Sequence, residues 1–191
     1  MDLGDLPVLA FASAADWQEW LAEHGDTEAG VWLKTAKKGA AEPTVSYPDA
    51  LDVALCFGWI DGQNGPLDDQ YWLQRFTPRK PGSRWSRINT QKAEALIEAG
   101  RMQPAGLREV ELARSDGRWD RAYENQGGAT VPADLRAALD ANPAASEFFE
   151  TVSRVNRYAI LYRIQSVKRP ETRARKIDQY VQMLAEHKTI H

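Results

Sequence analysis

The chain has 191 residues, 43% of them hydrophobic, with 24 Lys+Arg against 27 Asp+Glu and a formal net charge of −3. That length fits one sizeable domain, or one domain with a small helical appendage, and the apolar content suffices for a packed core. The single Cys56 excludes an internal disulfide and suits a reducing compartment, no apolar run approaches the ~20 residues of a membrane span, and the acidic start Met-Asp-Leu-Gly-Asp carries no apolar leader segment, so the sequence predicts a cytoplasmic location.

In chain order, Ser13 with Asp16 three residues on is a capping pattern that opens a helix carrying Trp17, Trp20, Leu21 and His24, with Gly25 at its end. "VWLKTAK" reads as a strand in which Val31, Leu33 and Thr35 alternate with Trp32 and Lys34. Ser46 and Asp49 repeat the capping pattern ahead of Ala50, Val53, Ala54 and Phe57, one helix face that Gly58 closes. "WIDGQNGPLDD" reads as a turn-rich connection, because Asp-Gly and Asn-Gly supply the positive φ of tight reversals. "YWLQRFT" is a second strand, ended by Pro78 and Pro81.

The chain then turns helical. Ser86 or Asn89 caps a helix with Ala93, Leu96 and Ile97 inward, and Pro104 starts another through Leu107, Val110 and Ala113. "ENQGGATVP" reads as a linker. Beyond it come a helix with Leu135 and Leu139, one long helix from Phe148 to Ile164, a break at Arg169-Pro170, and a last helix with Ala174, Ile177, Val181 and Leu184. The expectation is an α+β fold: a small antiparallel sheet with several packed helices in residues 1–127, and an all-helical segment, residues 128–191, packed on it.

The densest chemical signal is "RFTPRKPGSRWSRIN", residues 75–89. It carries five basic residues, and no acid occurs from Gln70 to Ala93. The loop leaves a strand and meets a helix N-terminus, where unpaired backbone N–H groups and a partial positive charge favour anions. Arg75, Arg79, Lys80, Arg84 and Arg87, with Ser83, Ser86 and Asn89, supply donors of the kinds a phosphate or carboxylate accepts, and Trp85 offers a stacking face for a base, a ring or an arginine. The competing reading is that these arginines pair with Asp61, Asp68, Asp69 or Glu94 and pin the loop. Trp59 and Asp61, just past a helix end, complete the candidate ligand-binding set. Asp61 is the one weak candidate for a catalytic base, against a plain turn aspartate. Cys56 reads as a buried structural thiol. A second basic cluster, Arg154, Arg157, Arg163, Lys168, Arg169, Arg173, Arg175 and Lys176, lies with Tyr158 and Tyr162 on the C-terminal helices. It reads either as a ligand-facing or partner-facing surface or as a solvated face. No metal site and no cofactor motif is legible: His187 and His191 stand four apart at the chain end with no third ligand nearby, and neither phosphate-loop nor dinucleotide glycine patterns occur.

"ALCFGWIDG", "RFTPRKPGSRWSRINTQKAEALIEAGRMQPAGL" and "KRPETRARKIDQYVQMLAEHK" together resemble the YdeI/OmpD-associated family, also labelled bacteriocin-protection proteins. The residues that carry the resemblance include Trp59, Asp61, Gly62, Arg75, Thr77, Arg79, Lys80, Ser83, Trp85, Ser86 and Asn89, which coincide with the candidate site. The resemblance implies a part in antimicrobial-peptide or stress resistance and brings no catalytic mechanism. Four functions compete. The first is binding of a small phosphate- or carboxylate-bearing ligand. The second is nucleic-acid binding, which the acidic overall balance disfavours. The third is hydrolase- or transferase-like chemistry on an anionic substrate with Asp61 as base, though the sequence leans away from an enzyme. The fourth is docking of an acidic protein partner on Arg173 and Arg175.

Overall fold

A computed structural model describes residues 4–124, 128–167 and 169–191. Part of the expected linker and Lys168 of the second basic cluster therefore lie outside the described residues. The chain divides into two compact units, Met1–Ala122 and Tyr123–His191.

The first unit is α+β. Its elements are β1 (Val8–Leu9), α1 (Ala14–His24), β2 (Val31–Ala36), α2 (Tyr47–Cys56), β3 (Trp59–Pro66), β4 (Tyr71–Pro78), α3 (Arg87–Glu98) and α4 (Pro104–Ser115). The sheet order is β1-β2-β4-β3. β2–β4 and β3–β4 are antiparallel and the short β1 runs parallel to β2, so the sheet is mixed. The caps read from sequence form: Ser13 Oγ accepts from Asp16 N–H while Asp16 accepts from Ser13 N–H, and Ser46 Oγ accepts from Asp49 N–H. α2 is buried on nearly every side, packed among α1, α3, α4 and β3, which is wider than the single face its periodicity suggests. Val31, Leu33 and Phe76 of the sheet join Trp17, Leu21, Trp59, Trp85 and the α2 side chains in one core. Two indoles in it satisfy their N–H groups on backbone carbonyls, Trp17 on Ala50 at 3.1 Å and Trp59 on Gly25 at 3.0 Å.

β3 departs from the sequence reading. "WIDGQNGP" is a strand, β3, at the sheet edge, not a turn connection. The Asp-Gly and Asn-Gly pairs serve a register irregularity between Asp61 and Asn64 instead of a reversal. Buried Gln74 on β4 repairs the ladder there: its Nε2 donates to the carbonyls of Gly62 (3.0 Å) and Gln63 (3.3 Å). The reversal comes later, where Asp68 Oδ1 accepts from the N–H groups of Gln70 and Tyr71, holding its carboxyl below the usual range.

The second unit is helical: α5 (Ala133–Asp140), α6 (Pro143–Thr151), α7 (Arg154–Gln165) and α8 (Pro170–Ala185) around Leu135, Leu139, Phe149, Ile160, Ile164, Ile177 and Leu184. The single long helix expected from Phe148 to Ile164 is two helices. Val152 is extended (φ −64°, ψ 138°), and Ser153 caps α7 by accepting from Asn156 N–H. No Gly or Pro marks that corner, so the apolar periodicity runs through it unbroken in sequence. Arg173 on α8 ties two elements at once. It grips Asp134 of α5 with two hydrogen bonds (2.6 and 3.0 Å) and donates from Nη1 to the Ile164 carbonyl that ends α7 (3.0 Å).

Two stability outcomes follow from these contacts. A Cβ on Gly106 of α4 would stand 2.2 Å from the Cys56 carbonyl oxygen and 2.8 Å from its carbon, and backbone cannot move aside cheaply. Gly106→Ala therefore lowers stability by about 2–3 kcal/mol in urea denaturation, and a change below about 0.5 kcal/mol would contradict this packing. The hydrogen bond from Arg173 holds the Asp134 carboxyl below its usual range. A carboxylate whose folded pKa is lowered contributes fully above its unfolded value near ~4 and loses that contribution as pH falls through the folded value. Asp134→Asn then costs about 0.5–1 kcal/mol at neutral pH, a modest sum because the pair is half exposed. The difference from the parent chain closes as pH falls through the lowered folded-state value, and a pH-independent difference would contradict the pairing.

Candidate functional site

The basic stretch leaves β4 at Pro78 and reaches α3 at its N-cap Ser86, whose Oγ accepts from Asn89 N–H (3.1 Å). Between them Lys80-Pro81-Gly82-Ser83 forms a tight turn. Ser83 N–H donates to the Lys80 carbonyl, Lys80 N–H donates to Ser83 Oγ, and Gly82 takes the positive φ (82°) the reversal needs. Ser83 and Ser86 thus fix the backbone of the loop.

The loop is clamped from inside by a cluster of arginines and indoles. Arg79 lies with its guanidinium carbon 3.5 Å from the ring centre of Trp85 and donates from Nη1 to the Arg84 carbonyl (3.2 Å). Arg79 is 6% exposed and Trp85 1%, so this arginine and this indole belong to the interior. Trp85 meets Trp119 at 4.9 Å, and Arg114 stands 5.0 Å from the far indole. Arg118 closes the clamp, donating from Nη1 to the Ser83 carbonyl (2.8 Å) while its Nε holds Asp116 at 2.6 Å. That contact keeps the Asp116 carboxyl below its usual range. Trp85 therefore stacks on an arginine of its own loop. Its Nε1 is buried with no hydrogen-bond partner among the described residues, and so is Nε of Arg75.

Other candidates fall elsewhere. Trp59 is a core residue, edge-on to Trp17 and Trp20. Asp61 pairs across the sheet with Phe76, so strand alternation puts it on the face opposite Arg75. Its Oδ2 accepts from the Tyr47 hydroxyl at 2.8 Å. Asn89 is buried in the first turn of α3. Lys80 and Arg87 are exposed and Arg84 half-buried. The site residues therefore separate into an internal scaffold (Arg79, Ser83, Trp85, Ser86, Asn89), an outer basic rim (Lys80, Arg84, Arg87), and three residues on the sheet (Trp59, Asp61, Arg75). Burial pushes the Cys56 thiol up, away from nucleophilic use.

Sequence reasoning missed Arg114, Arg118 and Trp119, which hold the loop, and Tyr47, which holds Asp61. They lie far from their partners in the chain, and no spacing rule links them. In the second basic cluster, Arg157 and Arg173 turn inward. Arg157 Nη2 donates to the carbonyls of Phe149 (2.9 Å) and Glu150 (3.0 Å) at the end of α6. Arg154, Arg163, Arg169 and Arg175 are exposed. His187 packs edge-on to Phe148, and Asn156 pairs with the backbone of His191. Among the described residues no group of three or more His, Cys, Asp or Glu is placed to hold a metal ion, and no helix is long and apolar enough to cross a membrane.

Comparison with known proteins divides along the same line. A family model described as "Domain of unknown function (DUF8412)" matches residues 9–109, and one described as "Bacteriocin-protection, YdeI or OmpD-Associated" matches residues 128–187. No curated protein and no solved structure matches. "ALCFGWIDG" and the basic stretch lie inside the first match, and "KRPETRARKIDQYVQMLAEHK" falls almost wholly inside the second. The chain thus belongs to the DUF8412 family, whose model covers more than half of it, and residues 128–187 of its helical unit are similar to the family described as bacteriocin-protection, YdeI or OmpD-associated.

Proposed function

We propose that the protein binds a small phosphate- or carboxylate-bearing molecule at the rim of the loop formed by residues 79–87. The observation that carries this reading is the division of labour in the loop. Arg79, Trp85, Ser83 and Ser86 fix its shape by contacts within the unit, and Lys80, Arg84 and Arg87 stand on that fixed backbone at the start of a 12-residue helix. A binding loop already held in its bound shape loses little entropy on association. The helix start adds a partial positive charge, and the absence of acids between residues 70 and 93 leaves the local field positive. Asp116, the nearest acid of the clamp, is already engaged by Arg118. Arg75, a half-buried guanidinium on the sheet with an unsatisfied Nε, is a further cation of the same stretch.

Binding is favoured over turnover, because Asp61 is tied to Tyr47 and stands on the opposite sheet face from Arg75. It is favoured over single-stranded nucleic acid, because the indole that would stack a base is enclosed. The protein acts, on this reading, in the cytoplasm, where the lone buried thiol stays reduced. A contribution to bacteriocin protection, the words that describe the family matched by residues 128–187, or to stress resistance would on this reading depend on the bound anion.

Isothermal titration with inorganic phosphate and pyrophosphate, at constant ionic strength, tests the reading. Removing two charge-assisted contacts in the double variant Lys80→Gln/Arg87→Gln weakens binding by about 10-fold or more. Trp119→Leu, which leaves every cation in place and loosens the clamp, weakens it by a smaller factor. Unchanged affinity in the double variant, or no heat with either anion, would overturn the site.

A further inference from the structure

The helical unit contains a cavity of about 580 Å³, within the size range of small-molecule sites. It lies along one face of α7. Arg154, Arg157, Tyr158 and Leu161 fall at helical spacing on that face, with Glu150 and Val152 from the α6–α7 corner opposite. A second cavity of about 260 Å³ shares Tyr158 and Leu161 and continues along α7 toward Tyr162 and Arg173. The corner that sequence periodicity hides is what opens this space: with Val152 extended, α6 and α7 diverge instead of running on as one rod.

The charges around the larger cavity do not balance. Glu150 is met by Arg157 (3.4 Å) and Arg136 (3.8 Å), and Arg157 also donates to two carbonyls at the end of α6. Arg154 makes no hydrogen bond or ion pair among the described residues, while it lines the same cavity. One uncommitted guanidinium therefore stands beside an aromatic and aliphatic wall of Tyr158, Leu161 and Val152. A single anionic head joined to a flat apolar body satisfies both halves: the head pairs with Arg154, and the body covers Tyr158 and Leu161. We propose that the helical unit is a second, separate binding site, for aromatic carboxylates. It uses none of the residues of the basic loop and stands whether or not that loop binds phosphate.

Titration of the full chain with indole-3-acetate, followed by amide NMR shifts, tests the site. The expected result is saturable shifts confined to Ala129 and residues around 150–161, with a dissociation constant on the order of 1 mM or tighter for a ligand of this size. Benzyl alcohol, which lacks the charge, and acetate, which lacks the ring, each bind about 10-fold more weakly or not at all. Arg154→Gln brings indole-3-acetate down to the level of the neutral probe, and Ala129→Phe, which adds a ring at a lining position of the cavity, abolishes the shifts. Lys80→Gln/Arg87→Gln leaves them unchanged. Absence of saturable shifts, or shifts that survive both Arg154→Gln and Ala129→Phe, would overturn the proposal.

Discussion

A guanidinium over an indole sets the shape of the basic loop. Arg79 on Trp85, at 3.5 Å, is a desolvated cation–π contact of about 2 kcal/mol. The tilted Trp85–Trp119 pair adds about 0.5–1.5 kcal/mol. Together with the Arg118 contact to the Ser83 carbonyl, these forces anchor a loop of prolines, glycine and charges that has little apolar surface of its own to bury. The consequence for function is a sorting of cations. Arg79 is withdrawn from solvent to become structure, Arg84 is half-buried, and Lys80 and Arg87 are exposed on the clamped backbone.

The same sorting governs the helical unit, where arginine does work that glycine does elsewhere. α6 and α7 each end without a glycine C-cap, and their last carbonyls are met by guanidinium groups, Arg157 on Phe149 and Glu150, and Arg173 on Ile164. A cation at a helix C-terminus also meets the negative end of the helix dipole. Part of the positive charge in that segment is therefore explained by helix termination. What it leaves over, Arg154 with Arg163, Arg169 and Arg175, is exposed to solvent.

Much of this architecture is legible in sequence because local rules carried it. Ser13, Ser46 and Ser86 announce their helices through side chains that reach only three residues along, and β2 and β4 form where their residue types predict strands, although Trp32 and Gln74 are buried as well. The α+β class followed from those elements. β3 is hidden because its Gly and Asn residues suit both a turn and an irregular edge strand, and the choice was made by Gln74, a residue of the neighbouring strand that supplies the missing ladder donors. The α6–α7 corner is hidden because extended backbone at Val152 needs no special residue. The candidate site was legible as a set of residue types, and its internal division was not. Nothing in a basic loop says which arginine will point inward, since that depends on Trp119 and Arg118, brought up from beyond α4.

The central claim is that the rim of this clamped loop is a place where an anion rests. A crystal of the full chain soaked in selenate tests it most directly, since the anomalous signal of selenium locates the ion without ambiguity. The account predicts a peak within hydrogen-bonding distance of Lys80 or Arg87 in front of the first turn of α3, with Arg79 still stacked on Trp85. Selenate bound elsewhere and not there, or a loop that abandons the Arg79–Trp85 contact, would contradict it.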